Sequence, residues 1–258
     1  MAKKTVPTFD EFHSGSYGDR WPSLREALLG EVRYETLEEG LLRPYHLDAA
    51  SANAARALGV VPGDRVLDMC AAPGGKTLVL ALALAGTGEL VSNELSDARR
   101  ARLSRVLDEH LPEALRAAVR VTGRDATRWG LHEPEAYDRI LLDAPCSSDR
   151  HLLGKPELLK EWTPARPKQL AFRQHALLCA GFDALRPGGT LAYCTCALSP
   201  CENDGVVEKL LKSRKGKVEV LAAEIPDTEP TTYGRIALPD RANGSGPLYC
   251  ALIGKKAG

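Results

Sequence analysis

The sequence predicts an α/β protein with a Rossmann-like, doubly wound sheet that is mostly parallel and has helices on both faces. From about residue 60 onward, short apolar segments alternate with segments of helical pattern. The run ILLDA (140–144) is apolar except for Asp143, as expected for a strand covered on both faces. The connections are short, which favours βα units within one sheet. Sheets of this kind bind ligands at the carboxyl ends of their strands.

Composition narrows the class of protein further. The chain has 258 residues, of which 44% are hydrophobic and 26% charged, an ordinary globular balance that excludes disordered, collagen-like and coiled-coil proteins. The 34 lysines and arginines equal the 34 aspartates and glutamates, so a generally basic nucleic-acid binder is not favoured. The longest strictly apolar run, Leu78–Ala85, has eight residues, whereas a membrane span needs about 20.

The cellular compartment is predicted from the N-terminus and the cysteines. The start, MAKKTVPTFDEF (1–12), has no apolar core of a secretory signal, and Asp10 and Glu11 disfavour a transit peptide. Seven cysteines, an odd number, are scattered through apolar segments, as in proteins whose thiols stay reduced. We therefore predict a cytoplasmic location and leave a mitochondrial one open.

Two parts are predicted along the chain. Residues 1–60 form a helical lead-in, with Pro22 at the first position of a helix and Asp48 as the cap of another. Residues 61–258 form the α/β domain. Its predicted strands are 65–70, 88–95, 119–125, 137–145, 189–196, 217–223 and 246–254, and its predicted helices are 74–85, 96–110 and most of 165–185.

Two further helix starts carry sequence signals. Ser96 is a plausible N-cap for the helix 96–110. Ser199 and Glu202 have the spacing of a capping box, with Pro200 between them at the first helical position. We therefore expect a helix to begin at Pro200.

A glycine turn joins the first strand of the domain to its helix. In VLDMCAAPGGKT (66–77), Gly74 and Gly75 allow a ligand close to the backbone, and the helix N-terminus offers free N–H groups. The turn lacks the G-x-G-x-x-G pattern, and Cys70 stands where a phosphate-binding loop requires glycine. A nucleoside triphosphate is therefore disfavoured, and a tight turn without a ligand is the alternative for the glycines taken alone.

Acids at the next two strand ends favour a nucleoside. Glu94 ends the second strand of the domain, where dinucleotide-binding folds place an acid on the ribose hydroxyls, and Asp125 ends the third. Glu94 by itself is equally well explained as a solvated acid. The turn and both acids together predict S-adenosylmethionine, a nucleoside cofactor without phosphate.

Two cysteines follow two further strand ends. Asp143 and Cys146 end the fourth strand and Cys196 ends the fifth. If these strands are neighbours, about 4.8 Å apart, both thiols can face one pocket. The alternative for any single cysteine is that it is a buried apolar residue without a chemical role, and we assign Cys179 and Cys250 to this class.

Cys194, Cys196 and Cys201 also form a cluster in the sequence. They have no fourth ligand near them and no C-x₂-C spacing, so we predict no metal site. A disulfide between Cys194 and Cys196 is disfavoured because residues two apart on a strand span awkwardly for it.

A thiol pair of this kind suits chemistry on cytosine. A thiolate that adds to C6 of the base makes C5 nucleophilic enough to accept a methyl group, and cysteine supplies a populated, nucleophilic thiolate. A second thiol can assist release, and a carboxylate such as Asp143 can bind N3 and N4 of the base.

Three segments, LDMCAAPGGKT (67–77), DAPCSS (143–148) and YCTCALSPCEND (193–204), resemble in order the motifs of the Sun-type RNA (cytosine-5) methyltransferases. The resemblance runs from about residue 45 to the end. It implies that 61–258 is an S-adenosylmethionine-dependent catalytic domain with a seven-stranded sheet whose last strand is antiparallel.

The resemblance also assigns roles by position. It implies that Cys196 forms the covalent adduct with C6, that Cys146 assists release and that Asp143 lies beside methyl group and base. Glu94 departs from the usual aspartate, and Ala197 from a common serine. The implied cofactor contacts are Cys70, Ala71, Ala72, Pro73, Gly74, Gly75, Lys76, Glu94, Arg99, Asp125, Ala126 and Asp143.

The segments SSDRHLL (147–153), RWPSLREALL (20–29) and LDAAS (47–51) are most similar to a compact mitochondrial ribosomal-RNA branch without separate RNA-binding domains. This implies small-subunit ribosomal RNA as substrate. We also predict a monomer and allow for a partner protein that delivers RNA. A tRNA methyltransferase and a cofactor-binding ribosome-assembly factor are the alternatives. A DNA methyltransferase is disfavoured, because it would use the cysteine of DAPCSS, Cys146, as nucleophile.

Local basic segments are the predicted RNA contacts. Residues 150–175 hold six lysines or arginines against two acids, and 209–217 hold five against none. We favour 150–175 for phosphate contacts because it follows a catalytic loop. For the helix with four arginines, contact with RNA and a solvated face are equally favoured. The arginines are Arg99, Arg100, Arg102 and Arg105. Trp162 or Tyr193 could stack on a flipped cytosine, although core packing is favoured for both.

Overall fold

The computed structural model describes residues 6–256, so the start of the chain with Lys3 and Lys4 lies outside the described residues. The predicted alternation of strands and helices is confirmed. The strands are β1 Tyr34–Leu37, β2 Tyr45–Asp48, β3 Arg65–Asp68, β4 Glu89–Asn93, β5 Val119–Thr122, β6 Tyr137–Asp143, β7 Leu185–Thr195, β8 Val218–Leu221, β9 Glu229–Pro230, β10 Arg235–Ala237 and β11 Leu248–Lys255. The α-helices are α1 Phe9–Tyr17, α2 Trp21–Leu29, α3 Ala49–Ala57, α4 Gly75–Leu84, α5 Asp97–His110, α6 Glu113–Arg116, α7 Trp129–His132, α8 Asp149–Leu153, α9 Pro156–Lys160, α10 Ala165–Ala184 and α11 Asp204–Ser213.

The central sheet has the order β5-β4-β3-β6-β7-β11, and its first five strands are parallel. β11 runs antiparallel to β7, and β8 and β10 pair with different halves of the outer edge of β11. The predicted fold class is confirmed, but the sheet has nine strands rather than seven. β8 pairs only with residues 252–255 of β11. β10, which forms a short hairpin with β9, pairs with residues 248–250, where the edge of β11 would otherwise be open.

The first part of the described chain contains the two predicted helices. Pro22 lies in the first turn of α2, and the Asp48 carboxylate caps α3 by accepting from the backbone N–H groups of Ala50 and Ser51. A separate β1–β2 hairpin between them was not predicted. Each of its four-residue strands buries one side chain, so no alternating pattern is long enough to detect.

The sheet separates two apolar cores, and both include residues that precede residue 60. Phe9, Trp21 and Leu24 pack with α10 and β6 side chains on one face. Leu47 and the alanines of α3 pack with α4 and α5 on the other face. Within residues 6–256, no helix is long and apolar enough to cross a membrane.

The two predicted caps differ from the structure. Ser96 precedes α5, but its side chain makes no capping hydrogen bond, and its N–H donates to Glu94 Oε1 at 2.9 Å. The capping box at Ser199 is wrong, because α11 begins at Asp204. The Glu202 carboxylate is buried and accepts hydrogen bonds from other segments, so it does not reach back to Ser199.

Candidate active site

The two predicted cysteines meet at the carboxyl ends of β6 and β7. These strands are parallel neighbours in which Asp143 lies opposite Cys194. The loops that follow bring Cys146 Sγ to 2.9 Å from Cys196 Sγ. Cys196 and Asp143 line a cavity of about 510 Å³. This juxtaposition was expected if the two strands were neighbours, and the pairing satisfies that condition.

Hydrogen bonds distinguish the two thiols. The Cys146 thiol and the Ser148 hydroxyl, 3.4 Å from Cys196 Sγ, lower the pKa of Cys196, although burial opposes this. The bond to Cys196, together with burial, raises the pKa of Cys146. Cys196 is thus the better nucleophile and Cys146 the better proton donor. The role of Ser148 was not predicted, since only its left-handed backbone (φ 54°) aims the hydroxyl there.

Lys76 and Asp143 form the boundary between this cavity and the turn around Gly74 and Gly75, which we call the cofactor turn. Lys76 Nζ lies 2.8 Å from Asp143 Oδ2 and donates to Ser51 Oγ at 3.1 Å. Burial opposes the charge on Lys76, but the attraction of Asp143 outweighs it and raises the pKa of Lys76. The lysine therefore stays charged and holds the carboxylate in place.

The cofactor turn follows β3 and opens α4. Gly74 has a φ of 120°, which other residues rarely adopt, and a Cβ on Gly75 would lie 2.9 Å from Tyr45 Cε1. The turn borders a cavity of about 370 Å³. The predicted contacts in its lining are Cys70, Ala71, Ala72, Pro73, Gly75, Lys76 and Asp143.

Asp68, the last residue of β3, also lines this cavity and was not predicted. Its Oδ2 accepts from Thr77 Oγ1 at 2.7 Å, and burial raises its pKa to about 7. Its other oxygen, Oδ1, is buried without a hydrogen-bond partner among the described residues. Its place at a strand end was the available signal, the same one that identified Glu94.

A third cavity of about 330 Å³ brings together the predicted residues Cys70, Glu94, Arg99, Asp125 and Ala126. Arg99 Nη2 donates to the Ala72 carbonyl at 2.9 Å and lies 3.4 Å from Glu94 Oε2. Asp125 is exposed, and hydrogen bonds from Thr127 lower its pKa. The lining also includes Asn93 and Arg173, which were not predicted as site residues.

The residues present fit a nucleoside with an amino-acid tail. Glu94 Oε2 is buried without a hydrogen bond among residues 6–256, so it can accept from a ribose hydroxyl. The free Asp68 Oδ1 can accept from an ammonium group. Cys70 lines both cofactor cavities, which therefore adjoin at the turn.

The basic segment 150–175 divides into an internal and an exposed part. Arg150 donates to the carbonyls of Gly30, Glu31, Gly244 and Gly246, so this member is not available for phosphate, contrary to our expectation. The remaining cations are exposed and have no acidic partner within 4 Å in the described part of the chain: Lys155, Lys160, Arg166, Lys168 and Arg173.

The other basic candidates for RNA contact are mostly exposed, including Arg102 and Arg105 of α5 and the lysines of 209–217. Arg99 donates to the Ala72 carbonyl and Arg100 to the Glu94 carbonyl. Trp162 packs against Phe9, and Tyr193 is fully buried, so both are core residues, as favoured.

The three clustered cysteines have separate partners. Cys194 lies opposite Cys250 in the β7–β11 pair, Cys196 lies beside Cys146, and Cys201 Sγ is 3.2 Å from Ser199 Oγ. No group of three or more potential metal ligands occurs within the described residues.

Known proteins with similar sequences are RNA methyltransferases. A protein-family model described as 16S rRNA methyltransferase RsmB/F matches residues 55–253. The 5-cytosine rRNA methyltransferase NSUN4 of Bos taurus is 44% identical over 230 residues, 81% of this chain and 59% of that protein. The mitochondrial tRNA (cytosine(34)-C(5))-methyltransferase of Danio rerio is 37% identical over 229 residues, 84% of this chain and 62% of that protein.

Among solved structures, NSun6 from Pyrococcus horikoshii with SFG has a TM-score of 0.71 at 27% identity, covering 83% of this chain and 54% of that one. The chain thus spans about three fifths of the length of the two curated relatives.

Proposed function

This chain belongs to the 16S rRNA methyltransferase RsmB/F family, and from that premise we propose that it makes 5-methylcytosine in small-subunit ribosomal RNA. The resemblance to Sun-type RNA (cytosine-5) methyltransferases is thereby confirmed. The observation that carries the proposal is the contact between Cys146 and Cys196 at the edge of a cavity that Asp143 and Lys76 share with the cofactor turn.

Each side chain then has a distinct task. The Cys196 thiolate adds to C6 of the cytosine, and the electron pair of the C5–C6 bond becomes available at C5. Asp143, held by Lys76, accepts a hydrogen bond from the N4 amino group. Bound S-adenosylmethionine supplies an electrophilic methyl group on a sulfonium. After transfer, the C5 proton passes to water, the Cys196–C6 bond breaks, and the Cys146 thiol hydrogen-bonds the departing sulfur.

Names of relatives support the cofactor and the substrate class. The P. horikoshii structure contains SFG, an analogue of S-adenosylmethionine. The Bos taurus relative is named for rRNA and the Danio rerio relative for tRNA, so tRNA remains the second candidate. We favour ribosomal RNA, because the matching family model is described by 16S rRNA and the rRNA relative is the more identical.

The compartment and assembly remain proposals. The cytoplasmic location stays a prediction, and the mitochondrial alternative is supported by the name of the Danio rerio relative. A monomer and a partner protein that delivers RNA likewise stay predictions.

Replacing each cysteine tests the mechanism. We expect Cys196→Ala to give neither a covalent RNA adduct nor product, and Cys146→Ala to accumulate the adduct. Cys179→Ala, a half-buried cysteine on α10, is the matched control and should keep normal turnover. Denaturing gels and bisulfite sequencing of the RNA measure both quantities. An adduct that persists in Cys196→Ala and disappears in Cys146→Ala would reverse the two roles.

The alternative of a cofactor-binding assembly factor has its own test. Cells that lack this protein are complemented with wild type or Cys196→Ala, and their RNA is sequenced after bisulfite treatment. We expect only wild type to restore one modified cytosine. Normal ribosome assembly with the inactive variant would show a second role apart from methylation.

A further inference from the structure

We propose that helix α1, which precedes the segment matched by the family model, is a positioning element for the loop that carries the nucleophile. Its Tyr17, and its His13 acting through Asp149, hold Leu198, two residues after Cys196. The inference rests on the proposed function. It gives the N-terminal segment a role in the chemical step, beyond its share of the apolar cores.

Both backbone polar groups of Leu198 are bound by side chains from elsewhere. The Tyr17 hydroxyl donates to the Leu198 carbonyl at 2.8 Å. The Leu198 N–H donates to Asp149 Oδ2 at 2.7 Å. Leu198 is fully buried, so no water replaces either partner. The peptide plane that follows Ala197 is therefore oriented by Asp149, and the plane that follows Leu198 is oriented by α1.

Asp149 connects this loop to the loop of the second thiol. It lies three residues after Cys146 and is fully buried. Its free oxygen, Oδ1, is 3.7 Å from His13 Nε2, and no described residue donates a hydrogen bond to it. One carboxylate thus spans both cysteine loops, and the imidazole of α1 faces its free oxygen.

Aromatic packing fixes His13 in this position. Its ring lies 4.4 Å from the Phe9 ring centre and 5.1 Å from that of Trp21, and Trp162 closes the group. Neither ring nitrogen has a hydrogen-bond partner among the described residues, and Asp149 is the acidic residue within 4 Å of the ring among them. A histidine in an apolar group, aimed at a single buried carboxylate, indicates positioning rather than packing alone.

Tyr17 is suited to its task because burial raises the pKa of its phenol. It therefore donates a hydrogen bond at any physiological pH. No residue of α1 lines the cavities of the cofactor, so a defect at Tyr17 should reach the reaction through the loop and leave cofactor affinity unchanged.

The experiment measures adduct formation in a single turnover. The RNA carries 5-fluorocytosine at the target position, where the C5 substituent cannot leave as a proton and the adduct persists. We expect Tyr17→Phe to slow adduct formation by about 10- to 100-fold, the scale of an ångström-sized misplacement of a reacting group. The dissociation constant of S-adenosylmethionine should stay within twofold.

Tyr137→Phe is the matched control. Tyr137 is also buried and its hydroxyl donates to Glu133 at 2.7 Å, but it starts β6, at the end of the strand away from the thiols. It should lose comparable thermal stability and react at the wild-type rate.

Two variants of Asp149 test the other contact to the loop. Asp149→Asn keeps an acceptor for the Leu198 N–H, and its rate should stay within about threefold of wild type. Asp149→Leu removes the acceptor and should slow the reaction as Tyr17→Phe does.

The inference is overturned if Tyr17→Phe reacts at the wild-type rate, if Tyr137→Phe is slowed equally, or if the defect lies in cofactor affinity. A wild-type protein that forms no adduct would instead contradict the proposed function, so the two failures are distinguishable.

Discussion

At the scale of single residues, Glu202 connects the segment of one thiol to that of the other. Its carboxyl group is fully buried and binds both the N–H and the hydroxyl of Ser147, next to Cys146. Gln174 Nε2 donates to the same group at 2.9 Å. Burial raises the pKa of Glu202 to about 7, so the acid carries a proton through much of the neutral range.

The shift in Glu202 predicts a pH-dependent stability. Below its ordinary pKa of 4.5 the acid is protonated in the folded and unfolded chain alike. As the pH rises to 7 the unfolded chain ionises first, so the fold loses stability. Glu202→Gln imitates the protonated acid and escapes this loss. We expect the unfolding free energy of wild type to fall by about 3 kcal/mol relative to Glu202→Gln between pH 4.5 and 7.

Urea denaturation at several pH values measures this difference. Asp68 titrates over a similar range, but it is present in both proteins and cancels in the comparison. Parallel stability curves for the two proteins would contradict the assignment to Glu202.

The sequence predicted those candidate site residues whose type and place in a strand carry information. Cys146 and Cys196 are rare nucleophiles at strand ends, and Glu94 is an acid at another. Tyr17 gave no such signal, because its partner, Leu198, lies 181 residues away and is contacted through its backbone. Glu202 was misassigned because its local spacing imitates a cap, while its buried partners come from distant segments.

At the scale of elements, the exposed cations of α9 and α10 are a candidate RNA-binding face. We expect Lys160→Ala with Lys168→Ala to reduce the slope of log affinity against log salt concentration by about 1.4–1.8, the value for two lost phosphate contacts. Lys215→Ala with Lys217→Ala is the control from the other basic segment, and both of its residues are exposed. RNA binding titrated at several salt concentrations gives both slopes, and a change in the control pair alone would assign the contact to 209–217.

The long elements were predictable because hydrophobic periodicity extends over enough residues, as in α10 and β6. The β1–β2 hairpin was not, since each of its strands buries one side chain, and the β9–β10 hairpin was not, since its strands have two and three residues. β9 and β10 are set by the edge that β11 leaves open, a tertiary cause that no local pattern contains.

At the scale of the whole molecule, the lead-in and the α/β domain share both cores. Phe9 and Trp21 pack on one face of the sheet and Leu47 on the other.

The division of the chain at residue 60 stays a prediction, and an unfolding experiment followed by two probes tests it. We expect a single cooperative transition, in which Trp21 fluorescence in a variant with its other tryptophans replaced coincides with far-ultraviolet circular dichroism. Two separated transitions would mean that the lead-in folds on its own.

The balance of 34 cations and 34 anions is compatible with RNA binding, because the charges are unevenly placed. Many arginines are engaged internally, as Arg20 is with Glu229 and Asp240, whereas the cations of α9 and α10 remain exposed. Composition sets the net charge, and only the fold decides which charges face solvent.

The four carbonyl bonds of Arg150 have a consequence for access to the reactive thiol. They tie the segment after α2 to the loop before β11 at the wall of the Cys196 cavity. The width of this entrance is therefore fixed when the chain folds. For the proposed function, this means that the cytosine meets a wall whose two segments are already held to each other.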